Sequence, residues 1–370
     1  MSGSFLFCVC QFGAEPALKA ELAALRPDLR LAYSRPGLLT FKAEAPVGPD
    51  VELPAVFARA FGASLGPAKD PAQVFDLLLK TCPEGQPVRL HVFERDIARP
   101  GEEPPGFRYG PAAAAVRDQL IATWPQDQHP LLPGERAEPG DWVLDVVVAP
   151  GDPWWVGCHV HGPGHAPAPG GRIAVDVPPE APSRAYRKLE EALTWSGAPV
   201  RPGDVAVEIG SAPGGASYAL LRRGVSVYGI DPAEMDPVVT GFRGPAGNRF
   251  VHLHRPMSLV QRADLPRELH WVLMDVNLAP QIALITARRL AARPRHALCG
   301  VLLTLKLDDW RAVRHLPRLL AQIRAMGMDD VKATQLPSNR MEVFVCGLTR
   351  TGLARLQPSA SEAEPRRARA

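Results

Sequence analysis

Between Asp204 and Asp231 the chain reads DVAVEIGSAPGGASYALLRRGVSVYGID, and this stretch leaves few folds open. Val205, Val207 and Ile209 alternate as a short β-branched strand. The residues from Gly210 to Gly215 carry no bulky side chain, so a ligand can approach their backbone. Ala216 to Arg223 reads as a short helix whose N-terminal amides and dipole face that loop. Val225 to Ile230 is a second strand, and Asp231 stands at its carboxyl end, where open α/β sheets bind ligands. A carboxylate there suits the two hydroxyls of a ribose.

The spacing G-x-x-P-G-G lacks the G-x-G-x-x-G of dinucleotide binders, and no lysine-serine/threonine pair follows to make a P-loop. Taken by itself the loop also fits a glycine-rich βα turn in an unrelated α/β protein. It resembles the S-adenosylmethionine (SAM) loop of FtsJ-type ribose 2'-O-methyltransferases. That resemblance implies SAM as cofactor, with Gly210, Ser211, Pro213, Gly214, Gly215, Asp231 and Asp275 around it.

Periodicity organises the rest of the chain. Residues 5–10, 37–43, 88–93, 142–148 and 154–161 read as strands, and residues 14–25, 51–61, 72–80 and 111–124 as helices. A soft boundary at Pro67 to Pro71 divides them into two small α+β modules, 1–66 and 70–165. Gly162 to Pro182, with GPGHAPAPGG and VPPEAP, has the composition of a linker. Beyond it, residues 180–356 carry seven strands interleaved with helices, the last two in hairpin-like succession. The expectation is α/β, a Rossmann-like sheet with an antiparallel edge strand. Residues 357–370 are small, charged and proline-bearing, the composition of a disordered tail.

Charge is divided unevenly. Residues 1–180 carry 15 Lys+Arg against 22 Asp+Glu, whereas residues 181–370 carry 27 against 17. The second half is therefore the one equipped to meet phosphates. No apolar run approaches a membrane span, and Phe5 to Phe12 is short and lacks a basic flank, so a cytoplasmic location is expected. The six cysteines form no C-x-x-C pair and read as reduced, packed thiols.

Four ionisable residues sit where apolar strands or a helix leave little reason for them. Asp275 ends WVLMD, Lys306 ends GVLLTLK, Glu342 opens EVFVCGL, and Lys188 lies in PSRAYRKLEEAL. Each has an ordinary explanation alone: a helix N-cap, a lysine reaching from the sheet edge, a surface glutamate, an exposed helix lysine. Together, around one glycine loop, they are harder to dismiss.

PSRAYRKLEEA, VEIGSAPGG, WVLMD, TLKL and RMEV resemble the corresponding segments of the RlmM-type large-subunit ribosomal RNA cytidine 2'-O-methyltransferases, relatives of FtsJ with a K-D-K-E tetrad. The likeness covers most of residues 180–348. A weaker one, in FARAFGASL and WVLDVVVAPGDPWWVGCHV, implies ferredoxin-like and THUMP-like RNA-binding modules upstream. The resemblance implies Lys306 as the base that takes the 2'-hydroxyl proton, Lys188 as its cationic neighbour, and Asp275 and Glu342 as the groups that orient both. The substrate implied is RNA, a cytidine of 23S ribosomal RNA or an assembly precursor.

The chain departs from the family where HLHRPMS follows the third strand without a carboxylate. Backbone groups around Met257 and Ser258 are left to read the adenine. With the first half acidic, RNA phosphates fall to Arg184, Arg187 and the basic run Arg288, Arg289 to His296, with Arg311, Arg314, His315 and Arg318 as additions. A base or protein methyltransferase is disfavoured because MDVNLAP is not an N-P-P-Y loop; a non-catalytic RNA-binding assembly factor is the remaining alternative. His159 and His161 at i, i+2 beside Cys158 and His165 have chelating chemistry, but no second ligand group follows at a zinc-type spacing, so no metal is expected.

Overall fold

The computed structural model describes residues 4–96, 110–292 and 297–356. The chain divides into two compact units: the described residues up to Ala174 together with Thr334–Arg340, and Val175–Ala333 together with the described residues from Met341 on.

In the first unit, strands β1 (Phe5–Val9), β2 (Leu29–Arg35), β3 (Leu38–Ala43), β4 (Ala60–Ala68), β5 (Val88–Glu94), β6 (Trp142–Val148) and β7 (Trp154–Val160) form one sheet in the order β2-β3-β1-β4-β7-β6-β5. Neighbours are antiparallel except β5 and β6, which run parallel. Helices Pro71–Thr81 and Pro111–Ala122 bury Val74, Leu78, Val116 and Leu120 against Leu90, Leu144, Val146 and Val156. The first of these helices starts where it does because Asp70 accepts the Gln73 N–H at 2.9 Å and proline follows at once.

Three expectations change here. Residues 51–59 form no helix: Pro54 interrupts the run, and the amides of Val56 and Phe57 donate to the buried Glu21 carboxylate at 2.8 and 3.1 Å instead of to a helical turn. The boundary near residues 67–71 is not a break between sheets, because β4 pairs with β1 on one side and β7 on the other. The linker-like stretch begins as a packed turn, Pro169–Gly171, all three residues buried. Gly170 has φ +60°, and a Cβ there would lie 2.5 Å from the Phe93 ring; Gly171 has φ +71° and lies against the Arg59 carbonyl.

The second unit holds β8 (Val205–Ile209), β9 (Ser226–Ile230), β10 (Phe250–Leu253), β11 (Trp271–Asp275), β12 (Gly300–Lys306), β13 (Asp330–Thr334) and β14 (Glu342–Leu348), ordered β10-β9-β8-β11-β12-β14-β13. Strands β8 to β12 are parallel, and β14 is antiparallel to β12. The expected α/β sheet is present, with the antiparallel strand one place in from the edge. From β8 the chain builds outward to β9 and β10, then returns to the other side for β11 and β12. The strand order therefore reverses beside β8, and a crevice opens there at the carboxyl ends. The expected tail, 357–370, lies outside the described residues.

Replacing Gly170 by Ala combines a left-handed backbone with an overpacked contact on Phe93, so stability should fall by about 2 kcal/mol. A urea titration reads this as a lower midpoint; an unchanged midpoint would show that the turn tolerates a side chain.

Candidate active site

The sheet register assembles the site. Asp275 is the last residue of β11 and pairs with Thr304 of β12; Lys306, two residues on, lies directly opposite Glu342 of β14. Helix Ala185–Ser196 brings Lys188 to the same point. Lys188 Nζ lies 2.7 Å from Asp275 Oδ2 and 2.5 Å from Glu342 Oε1. Lys306 Nζ lies 2.9 Å from Asp275 Oδ1 and pairs also with Glu342 Oε2. Two ammonium groups and two carboxylates thus alternate in a closed ring, each cation touching both anions.

Alternation fixes the charge states. Burial pushes the Asp275 and Glu342 carboxyls up, but the two lysines outweigh it and hold both below the usual carboxylate range. For Lys306 burial favours the neutral amine, yet Asp275 and Glu342 prevail and its pKa is raised. The ring remains partly open, with side-chain exposures of 18% at Lys188, 25% at Lys306 and 28% at Asp275, so a reacting group can reach it.

The glycine loop adjoins the ring. A Cβ on Gly210, φ +80°, would lie 2.6 Å from the Asp275 carbonyl oxygen. Gly214, φ +117°, lies against Val239 and Met235, and Gly215 against Ser183 and the Tyr186 amide. The bare positions thus serve helix and loop packing as well as ligand approach, a role that spacing alone does not reveal. Ser211 is buried and donates to Met235 Sδ at 3.5 Å. Gly210 and Ala212 are half-buried and Pro213 is exposed, which makes these the accessible backbone of the loop. Asp231 is half-buried at the end of β9; its Oδ2 accepts the Ala212 N–H at 3.0 Å and its Oδ1 the Ala233 N–H at 2.8 Å. Each oxygen keeps a lone pair for a hydroxyl, so the donor and acceptor set fits the ribose of an adenosyl cofactor.

One member of this region escaped the sequence reading. Glu208, inside β8, is 4% exposed and accepts a hydrogen bond from Ser217 Oγ. Burial, with Asp275 and Asp231 adding, pushes its carboxyl up to about 8, so it is protonated at neutral pH. Its signal was available: a carboxylate flanked by Val207 and Ile209 on a strand too apolar to leave it charged.

The remaining candidates separate. Arg184 and Arg187 are exposed at the start of the helix that bears Lys188. Arg288 is exposed, while Arg289 donates to the Met257 and Ser258 carbonyls at 2.7 and 3.3 Å, tying down the segment expected to meet the adenine. Arg311, Arg314, His315 and Arg318 are all exposed. Arg293, Arg295 and His296 of the basic run lie outside the described residues.

Residues 181–295 match the family model described as FtsJ-like methyltransferase. Over that span the second unit has the FtsJ-like methyltransferase fold. The matched span holds Lys188, the glycine loop and Asp275, while Lys306 and Glu342 join through the geometry of β12 and β14. The chain is similar to "Ribosomal RNA large subunit methyltransferase M" of Laribacter hongkongensis, 32% identical over 54% of this chain and 54% of that protein. The protein of the same name in Sodalis glossinidius is 28% identical over 64% and 62%, and that of Xylella fastidiosa strain M12 33% identical over 45% and 47%. The chain spans about half to three fifths of the length of these curated relatives. Among solved structures, TrmN from Thermus thermophilus covers 93% of the chain at 15% identity with a TM-score of 0.33, a loose likeness.

The ring sets a stability window. Asp275 and Glu342 titrate below their ordinary 3.8 and 4.5, so their contribution is full above those values and is lost as pH falls further. Lys306 titrates above 10.5, so its contribution is full below that pH and is lost as pH rises through the folded value. Lys306→Met leaves two carboxylates on one ammonium group and should cost about 2–3 kcal/mol at neutral pH. Thermal melts from pH 3 to 11 would show the loss, and a variant as stable as the parent would mean the ring contributes nothing.

Proposed function

We propose that the chain is a SAM-dependent RNA 2'-O-ribose methyltransferase acting on large-subunit (23S) ribosomal RNA, with a cytidine as the methylated nucleotide. The ring of Lys188, Asp275, Lys306 and Glu342 beside the glycine loop carries this reading. When bound, SAM supplies a methyl group already activated on a sulfonium. What the protein must add is a way to take a proton from a weakly acidic hydroxyl and to hold that oxygen in line.

In this reading Gly210, Ala212 and Pro213 offer backbone to the cofactor, Ser211, Gly214 and Gly215 shape the loop, and Asp231 takes the ribose hydroxyls. Lys306 receives the 2'-hydroxyl proton. Lys188, also within reach of both carboxylates, balances the negative charge that grows on the oxygen. Asp275 and Glu342 hold the two amines at fixed positions, and the same contacts keep Lys306 protonated at rest. The free-base fraction is then small at neutral pH, and the rate follows its deprotonation. Arg184, Arg187 and Arg288 are placed in this reading on RNA phosphates, and the first unit, in which the stretches 1–66 and 70–165 share one sheet, is taken as the ferredoxin-like and THUMP-like part that holds a structured RNA. No helix among the described residues is long and apolar enough to cross a membrane.

Lys306→Ala should lower methyl transfer to RNA by on the order of 10³-fold while SAM affinity measured by calorimetry stays within about threefold. Unchanged turnover would remove Lys306 from the reaction. For the parent, kcat/KM should climb through the alkaline range; Glu342→Gln, by removing one stabilising carboxylate, should move that limb to lower pH. A limb that stays in place would separate Lys306 from the titrating step.

A further inference from the structure

The first unit concentrates histidine on one face of its sheet. His91 of β5 lies opposite Asp145 of β6, and His159 of β7 reaches the same carboxylate diagonally, donating from Nδ1 to Oδ2 at 2.6 Å. His161 continues β7 two residues on, with its backbone still paired at Asp141 and Gly140. The turn from Gly162 then folds back and delivers His165, whose ring stacks between Phe61 and His159 at centroid distances of 4.2 Å each. One ring nitrogen from each of His159, His161 and His165 lies within 4.8 Å of the others.

Two details distinguish this cluster from packed aromatic rings. His159 Nε2, His161 Nδ1 and His165 Nε2 are buried nitrogens that meet no well-formed hydrogen-bond partner among the described residues, the His165 ring lying near the Phe61 backbone. Such atoms are costly unless something binds them. The Asp145 contact sets the tautomer of His159, with the proton on Nδ1 and the lone pair on Nε2, the arrangement in which a carboxylate backs a metal-ligating imidazole. Cys158 is excluded from the set because it points to the opposite face of the strand.

We propose that His159, His161 and His165 bind a zinc ion, backed by Asp145, that pins the end of β7 to the Gly162–His165 turn. Imidazoles without thiolates suit zinc or its borderline neighbours over calcium or magnesium. Ligands about 2.0–2.1 Å from a tetrahedral zinc stand about 3.4 Å apart. Loading therefore draws the three nitrogens together by up to about 1.4 Å, turns the near-parallel rings of His159 and His165 toward one ion, and gives up the long 3.3 Å contact from the Gly162 N–H to His165 Nδ1. The fourth coordination position is left to solvent on the half-buried His165 side.

The test uses the full chain stripped with chelator and titrated with zinc chloride by calorimetry, with metal content measured after gel filtration. One zinc per chain and a melting temperature raised by several degrees are expected. His161→Ala and His165→Ala should weaken binding at least about 100-fold, and Asp145→Asn about 10- to 100-fold. His254→Ala, which alters the exposed His252–His254 stack of the other unit, should retain full uptake. Cobalt gives a readout that does not depend on any variant surviving: the parent chain should show the ligand-field absorption of tetrahedral nitrogen coordination. No stoichiometric uptake by the parent, or uptake unchanged in the His161 and His165 variants or lost in His254→Ala, would overturn the proposal.

Discussion

The ion ring at the ends of β11, β12 and β14 is the interaction around which the second unit is arranged. Neither lysine would tolerate partial burial alone, and neither carboxylate would stay charged without them. The cost is met because a parallel pair, β11 with β12, and an antiparallel pair, β12 with β14, converge at one level. Thr304 opposite Asp275 and Lys306 opposite Glu342 are consequences of register, and register is held along the full length of strands too apolar to slip. A site of this kind is as rigid as the sheet that carries it.

Beside it, the glycine loop answers two demands at once. Gly210 lies against Asp275, Gly214 against Met235 and Val239, and Gly215 against the turn before the Lys188 helix. Small residues therefore bring that helix and that strand end close to the loop, which is also how the ring is closed. Asp231 fastens two backbone amides, of Ala212 and Ala233, with one oxygen each, which leaves each oxygen a further lone pair.

Much of this was legible in the chain. Strands Trp271–Asp275 and Trp142–Val148 have the bounds that alternation and apolar runs give them, and the misplaced charges at Asp275, Lys306 and Glu342 pointed to the ring. What was not legible depended on long-range partners. Residues 51–59 carry helical spacing, yet the buried Glu21, more than thirty residues away, takes the amides a helix would need. The strand Leu29–Arg35 is mostly exposed, so its composition lacks the apolar rhythm by which strands are recognised. The turn at 169–171 reads as a linker because glycine and proline serve a tight, packed bend as readily as a loose one. His165 stood beside His159 and His161 in the sequence, but its return to β7 by a turn is a matter of tertiary structure that spacing does not show.

The position of β4 has a consequence for how the first unit can be divided. Its hydrogen bonds run to β1 on one flank and to β7 on the other, so the strand belongs equally to the segments before and after it. Ending the chain ahead of Ala60, or beginning it after Ala68, would strip a partner from β1 or from β7 and leave a long unprotected border of amides and carbonyls. The sheet of the first unit is thus one cooperative block whose fragments would be prone to join edge to edge, and a cut between β1 and β7 would break it.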